Sequence, residues 1–346
     1  MTAAHNTRLI LNQYAKDGVH STSCFAVDTS QKVHDASSLA DGQVLVKVDS
    51  LSIDPHLRIF MSDPESKGEA GYRFPLGQPI SGIGAGVVVA SKSTQFTVGD
   101  AVRSDNVPWE AYAVLSDSQL VKLPKSSLPL SSFIGVLGMP SFTAYLGVVV
   151  VGRPKAGETL LVSAASGAVG QVVIQLAKAR GLRVVGVAGS DEKVAYAKSL
   201  GADEAFNYKT CGDYAQAIKK AAPEGIDIFF DGVGGELLDA ALLNINERAR
   251  IVVCGSMTTY GADRSKLYGV KNTDLLIEKE AIMQGILYLK HSGTKVEEEF
   301  YEEVSHLVEQ GKIQFKVDER PGLESASQAL VDLFSGNNFG KLIVKV

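Results

Sequence analysis

What is scarce in this chain sets the first limits. Its 346 residues include 3 cysteines, 1 tryptophan and 6 histidines. Cys24, Cys211 and Cys254 are scattered and form no C-x-x-C pair, so neither a disulfide framework nor a cysteine zinc site has support. His5, His20, His34, His56, His291 and His306 fall at no ligand spacing, so a metal is not expected. The longest apolar run, around YLGVVVVG, is far short of the roughly 20 residues a membrane helix needs. The opening MTAAHNTRLILNQYAKDG lacks the apolar core and cleavage site of a signal peptide. Nor is there an excess of basic charge. Lys and Arg total 34 against 39 Asp and Glu, the net charge is -5, and no basic stripe appears, which speaks against nucleic acid. These absences predict a cytoplasmic protein with neither a membrane nor a nucleic-acid partner.

What is present is ordinary globular material, 45% hydrophobic and 21% charged, in a chain long enough for about two domains. The first third is rich in short strands and turns. QVLVKVDSLSIDP alternates and breaks at Pro55, ISGIGAGVVVAS is a glycine-studded strand, and WEAYAVLSDSQLVKLP reads as two more. Such punctuation suggests a partly open barrel or a sandwich. From about residue 135 the rhythm changes to alternating strands and helices, the pattern of a parallel sheet covered on both faces. ETLLVSAA is a buried strand. The next helix carries Val169, Val172, Val173, Leu176 and Ala177 on one face and stops at Gly181. SDEKVAYAKSLG is a helix with Ser190 as its N-cap. Near the end, EEEFYEEVSHLVEQGK and SASQALVDLFSG are helices and GKLIVKV is a closing strand. This tail reads as returning to complete the first domain.

Between the buried strand and its helix, Ala165-Ser166-Gly167-Ala168-Val169-Gly170 reads A-x-G-x-x-G, with alanine at the place of the first glycine. The context of strand, loop and helix suits a dinucleotide pyrophosphate, because the first helical amides lack partners and the helix dipole is positive there. Gly167 would let the backbone approach the phosphates, and Gly170 would let helix and strand pack closely. Ala165 fits the turn if its φ stays negative. The alternative is a purely structural turn. About 20 residues further on, where an acidic residue would hold the ribose of NAD, the chain reads Ala188-Gly189-Ser190, with Lys193 in the first helical turn. A small gap, a hydroxyl and a cation favour the 2'-phosphate of NADP, while Asp191 and Glu192 cut the other way.

The stretch AASGAVGQVVIQLAKARGLRVVGVAGSDEKVAYAKSLGADEAFNYK resembles the zinc-free medium-chain dehydrogenase/reductases. Within them the chain is similar to the prostaglandin reductase and leukotriene dehydrogenase group, with the plant double-bond reductases and bacterial curcumin reductases. SLSIDPHLRIFM, LGMPSFTAYLG, FFDGVGGE, VCGSMTTYG and GNNFGKLIVKV resemble further ordered motifs of that group. The resemblance implies an α/β fold, a Rossmann doubly wound parallel sheet plus a GroES-like partial β-barrel domain. Residues 1–132 and 312–346 would form the GroES-like domain and 133–311 the Rossmann domain, with the cofactor in the cleft. It implies a homodimer and NADPH-dependent reduction of the carbon–carbon double bond of α,β-unsaturated ketones or aldehydes. By motif, Lys193, Ser190 and Tyr208 would surround the 2'-phosphate. Ala165, Gly167 and Gly170 would face the pyrophosphate. Met139, Thr143, Cys254 and Asn338 would line the nicotinamide, with Ile286, Leu287 and Tyr288 near its amide. Two positions depart from the pattern. His56 replaces a tyrosine expected to face the substrate, and Gly232 replaces an asparagine that would touch the cofactor.

Enone reduction needs a hydride at the β-carbon and a proton at the α-carbon or the enolate oxygen. The most useful protein group is a donor aimed at the carbonyl oxygen. Tyr260, beyond the VVCG strand, is the main candidate. His56 is the second, since its ordinary pKa lies near neutrality. Arg58 is expected to pair locally. Trp109 and Tyr288 would either shape an apolar pocket or pack in the core, and Ser66–Phe74 reads either as a lid or as an exposed loop. The other functions that the sequence permits are a quinone oxidoreductase, a zinc alcohol dehydrogenase, and a non-catalytic NADPH-binding sensor.

Overall fold

The computed structural model describes residues 5–15, 21–63, 72–260 and 262–346. The segment proposed as a lid therefore lies outside the described residues except for Tyr72, Arg73 and Phe74. In chain order the strands are β1 (Arg8–Leu11), β2 (Phe25–Asp28), β3 (Gln43–Ser52), β4 (Ser81–Ser91), β5 (Ala101–Pro108), β6 (Tyr112–Ser116), β7 (Val121–Lys122), β8 (Thr159–Val162), β9 (Arg183–Ala188), β10 (Glu204–Asn207), β11 (Ile226–Asp231), β12 (Ile245–Val253), β13 (Ile282–Gly285), β14 (Val317–Pro321) and β15 (Lys341–Lys345). The helices are α1 (Leu57–Phe60), α2 (Met139–Tyr145), α3 (Gly170–Ala179), α4 (Asp191–Ser199), α5 (Tyr214–Ala221), α6 (Gly235–Leu242), α7 (Leu275–Glu278), α8 (Lys295–Glu309) and α9 (Ala326–Ser335). They fall into two compact units. One comprises Met1–Gly135, Tyr260–Asp263 and Val317–Val346, the other Val136–Thr259 and Arg264–Lys316.

The second unit is built on a six-stranded sheet in the order β10-β9-β8-β11-β12-β13, parallel throughout. Its central strands carry apolar residues on both faces, as a sheet covered by helices on each side requires. Every residue of TLLV in β8 is buried, and so is nearly all of IDIFFD in β11. Helix α3 covers the sheet with Val172, Val173, Ile174, Leu176 and Ala177, all fully buried. The larger of these side chains stabilise the unit by about 1.5–3 kcal/mol each. Helix α4 begins as the sequence predicts. Ser190 is extended and its Oγ accepts the Lys193 amide at 3.3 Å, while Asp191 and Glu192 complement the dipole. In this strand order the chain reverses direction across the sheet between β8 and β11, and ligands of such sheets bind beyond the carboxyl ends at that point.

The first unit is largely antiparallel. Its main sheet runs β14-β15-β3-β4-β5-β7, with β6 paired to β3, and β1 and β2 form a separate ladder. The last strand, β15, pairs antiparallel with β3 through Ile343 and Ser52, so the tail closes this sheet. Leu11, Leu51, Met61, Leu330 and Trp109 are wholly buried in its core. Trp109 stacks on Phe25 with centroids 5.9 Å apart and is wholly buried, so the single tryptophan packs the core.

Candidate active site

The loop after β8 turns more tightly than its alanines suggest. The left-handed residue is Ala164, with φ 48°, and Ala165 keeps a negative φ. The alanine at the expected glycine position is therefore not the strained one. Its methyl is buried and is received by a glycine on the neighbouring strand: a Cβ at Gly186 would lie 3.1 Å from the Ala165 Cβ. Gly170 is needed for another reason. A Cβ there would meet the Ala164 carbonyl oxygen at 2.4 Å, so only glycine lets α3 start this close to the loop. Gly167, Ala168 and Val169 thus sit where the first amides of α3 face the end of the sheet, an arrangement that fits a pyrophosphate.

One strand over, the structure brings Gly189, Ser190, Lys193 and Tyr208 together. The Tyr208 ring lies on the Gly189 backbone, where a Cβ would fall 2.9 Å from its Cε1. Tyr208 is anchored by its amide to Ala188 at 3.0 Å and remains partly exposed. Asp191, which counted against a 2'-phosphate, accepts a bond from Asn207 Nδ2 at 2.9 Å. That carboxylate is thereby engaged sideways, and Ser190 and Lys193 open α4 directly after Gly189. These residues fit the phosphate-bearing ribose of NADP.

At the reversal point, Ser163 Oγ donates to Asp231 at 3.0 Å and accepts the Gly232 amide at 2.8 Å. Asp231 also receives the amides of Val233 and Gly234. Burial nevertheless raises its carboxyl above the usual range, against the pull of those amides and Ser163. Gly232 has open space: a Cβ would meet only Ser163 Oγ, at 4.0 Å. Cys254 lies just past β12, half-buried, with its amide bonded to Asp231 O at 2.7 Å. Burial, reinforced by the Asp231 charge, pushes its thiol up to about 12, so it is no thiolate nucleophile at neutral pH. Met139 and Thr143 stand one turn apart on α2, which packs against α3. Ile286, Leu287 and Tyr288 continue from β13, with the Ile286 amide held by Val253 O at 3.0 Å.

The first unit holds a second polar group that the sequence did not reveal. Lys341 Nζ lies 2.9 Å from Asp54 Oδ1 and 3.0 Å from the Ile53 carbonyl, and both charged side chains are almost completely buried. Ser52 Oγ donates to the other Asp54 oxygen. Burial alone would raise the Asp54 carboxyl, but Lys341, His56 and Ser52 together hold it below its ordinary value. His56 follows two residues later at the start of α1. Burial pushes its imidazole below the ordinary value and Lys341 adds to this, while Asp54 pulls it up less strongly. It is a neutral imidazole at pH 7, suited to hydrogen bonding more than to acting as a strong acid. His56 also begins an aromatic series: its ring is 6.2 Å from Phe60, which meets Tyr72 at 5.9 Å and Phe74 at 5.6 Å, all edge to face. Tyr260 belongs to this same unit. Asn338 Nδ2 bonds to Gly340 O at 3.1 Å, shaping the turn into β15. Arg58 departs from expectation. No carboxylate pairs with it among the described residues. Its guanidinium stands 4.4 Å over the Phe334 ring, and burial lowers its pKa.

A parallel sheet of this order with a glycine loop at its reversal point, joined in one chain to a largely antiparallel unit, defines a two-part protein of the Rossmann class. Residues 8–123 match the family described as "N-terminal domain of oxidoreductase" and residues 168–309 the family described as "Zinc-binding dehydrogenase". The chain belongs to the medium-chain dehydrogenase/reductases, in their zinc-independent group. Among the described residues no three His, Cys, Asp or Glu side chains cluster to hold a metal ion. The chain is 44% identical to the NADP(+)-dependent 2-alkenal reductase of Nicotiana tabacum, over 88% of this chain and 87% of that one. It is 38% identical to the NADPH-dependent curcumin reductase of Escherichia coli, over 90% of each. The NADPH complex of CurA from Vibrio vulnificus superposes with a TM-score of 0.85 at 34% identity, covering 98% of this chain and 99% of that one. No helix among the described residues is long and apolar enough to cross a membrane.

Proposed function

We propose that this protein is an NADPH-dependent reductase of the carbon–carbon double bond in α,β-unsaturated ketones and aldehydes. The single observation that carries the reading is the pairing of an NADP-type ribose cradle, Gly189-Ser190-Lys193 under Tyr208, with whole-chain similarity to reductases of alkenals and curcumin. NADPH is the cofactor, and when bound it supplies a hydride. Gly167, Ala168, Val169 and Gly170 hold its pyrophosphate, and Ser190, Lys193 and Tyr208 its 2'-phosphate. Met139, Thr143, Cys254, Asn338 and the run Ile286 to Tyr288 are assigned to the nicotinamide end.

The protein's own part is to bind, orient and polarise the substrate. Negative charge grows on the substrate carbonyl oxygen as the double bond is reduced, and the hydroxyl of Tyr260 is the assigned donor to it. His56, kept neutral by its buried surroundings, gives the substrate a second polar contact in place of a tyrosine. The rings of His56, Phe60 and Tyr72, packed edge to face, offer an aromatic apolar surface, which suits conjugated substrates. The active form we propose is a homodimer, supported by the open sheet edge at β13 with Ile282, Leu287 and Leu289 exposed beside it. Incubating the protein with NADPH and a panel of enones, with analysis of the organic product, tests the function. A saturated ketone or aldehyde is expected. A hydroquinone from quinones alone would identify a quinone reductase instead.

A further inference from the structure

Gln171 is a polar residue with no exposed surface, in the first turn of the helix that leaves the dinucleotide loop. Its side-chain amide pairs with one residue's backbone at both ends: Oε1 accepts the Lys316 amide at 2.7 Å and Nε2 donates to the Lys316 carbonyl at 3.2 Å. Gln175, one turn later, does the same for Gln314, with both bonds at 2.8 Å. The two glutamines thus stand in for a neighbouring β-strand. The match is geometric, since four residues of helix rise about 6 Å and two residues of extended chain span about 6.6 Å. The bound segment is the last of its unit, because after Lys316 the chain enters β14 of the other unit. A second helix joins the arrangement. Tyr196 of α4 donates its hydroxyl to Gln171 Oε1 at 2.8 Å, and the Lys316 ammonium lies 5.9 Å from the Tyr196 ring centroid.

We propose that Gln171 is a positioning residue that couples cofactor binding to this crossing point. Helices α3 and α4 present their N-termini to the two phosphate sites, one at Gly167–Gly170 and one at Ser190–Lys193, and both reach the crossing through Gln171. Phosphates that order the first turns of these helices stiffen the segment Gln314–Lys316, and the stiffened segment in turn favours cofactor binding, since such coupling is reciprocal. The Tyr196 bond gives the 2'-phosphate its own route, so NADPH acts more strongly than NADH. The proposal rests on the cofactor assignment above and is independent of which acceptor is reduced.

Amide hydrogen exchange of the full-length protein tests it, with NADPH and NADH each at saturation and binding verified by fluorescence titration. Bound NADPH is expected to slow exchange at the Gln314 and Lys316 amides at least fivefold, and NADH to slow it less. Gln171→Leu should abolish the slowing at Lys316 and weaken NADPH binding about fivefold or more. Tyr196→Phe removes a single hydroxyl and secures the test if Gln171→Leu does not fold; it should make the two cofactors equal in effect. Exchange at these amides that ignores bound NADPH, or a cofactor effect unchanged in Tyr196→Phe, would overturn the proposal. Absence of NADPH binding would instead show as a flat titration and count against the cofactor assignment itself.

Discussion

Lys341 Nζ and Asp54 Oδ1 meet at 2.9 Å in the interior of the first unit, 287 residues apart in the chain. Each charge is hidden from water, so each depends on the other. Removing one partner of such a pair costs about 3–5 kcal/mol, because the survivor is left buried and uncompensated. Lys341→Met should therefore lower stability by that order in chemical denaturation. It should also raise the His56 pKa, since Lys341 lowers it and the remaining Asp54 charge raises it. Titration of the His56 ring by NMR reads this directly. An unmoved His56 would show that the pair does not govern the imidazole.

Glu110 gives a pH-dependent prediction. Burial pushes its carboxyl up to about 7, against the opposing pull of Arg8 at 3.4 Å and the bond from Asn6. A folded-state pKa above the unfolded one means that the stabilising contribution is complete below about pH 4.5 and is lost as pH rises through 7. The group should cost about 3 kcal/mol of stability between pH 5 and 8. Urea unfolding of Glu110→Gln should lack this part of the pH dependence; an identical dependence would remove Glu110 as its source.

Lys193→Ala should raise the dissociation constant for NADPH about 10- to 100-fold, the worth of a charge-assisted bond to a phosphate, and leave NADH nearly unaffected. Equal losses for both cofactors would take Lys193 away from the 2'-phosphate. Gly189→Ala should damage the same site by displacing Tyr208, with which its Cβ would collide.

Gly232→Asn is expected to fold normally, because the position has open space and no left-handed φ. It should tighten NADPH binding severalfold by placing a polar side chain in that open space, beside the assigned cofactor site. Weaker binding, measured by calorimetry, would mean that the glycine is itself required.

The readable parts of the fold were those written in contiguous pattern. β8, its loop and α3 stand out because an apolar strand, small turn residues and a helical stripe follow one another. Ala165 could be read as compatible with the loop, but Gly186, which makes room for it, lies on the next strand and has no local signal. The same holds for the polar interior. Asp54 and Lys341 each belong to a motif singled out in the sequence, yet only the sheet pairing of β3 with β15 reveals that they are partners. Gln171 and Gln175 look like solvent-facing residues of an amphipathic helix, because a side-chain amide that replaces a strand leaves no mark in periodicity. Arg58 misled for a related reason: its partner is an aromatic face, Phe334, and charge spacing cannot show that.

Tyr260→Phe should lower turnover of an enone by about 10²- to 10⁴-fold with little change in NADPH affinity, if its hydroxyl serves the carbonyl oxygen. Unchanged turnover would reduce Tyr260 to a packing residue, and His56→Ala measured beside it separates the two candidates.

The most direct test follows the hydride itself. The protein is incubated with NADPH deuterated at C4 of the nicotinamide and an α,β-unsaturated ketone, and the product is examined by NMR. Deuterium on the β-carbon of a saturated ketone is the expected result. Deuterium on the carbonyl carbon of an allylic alcohol, or no organic product with any enone tested, would contradict double-bond reduction.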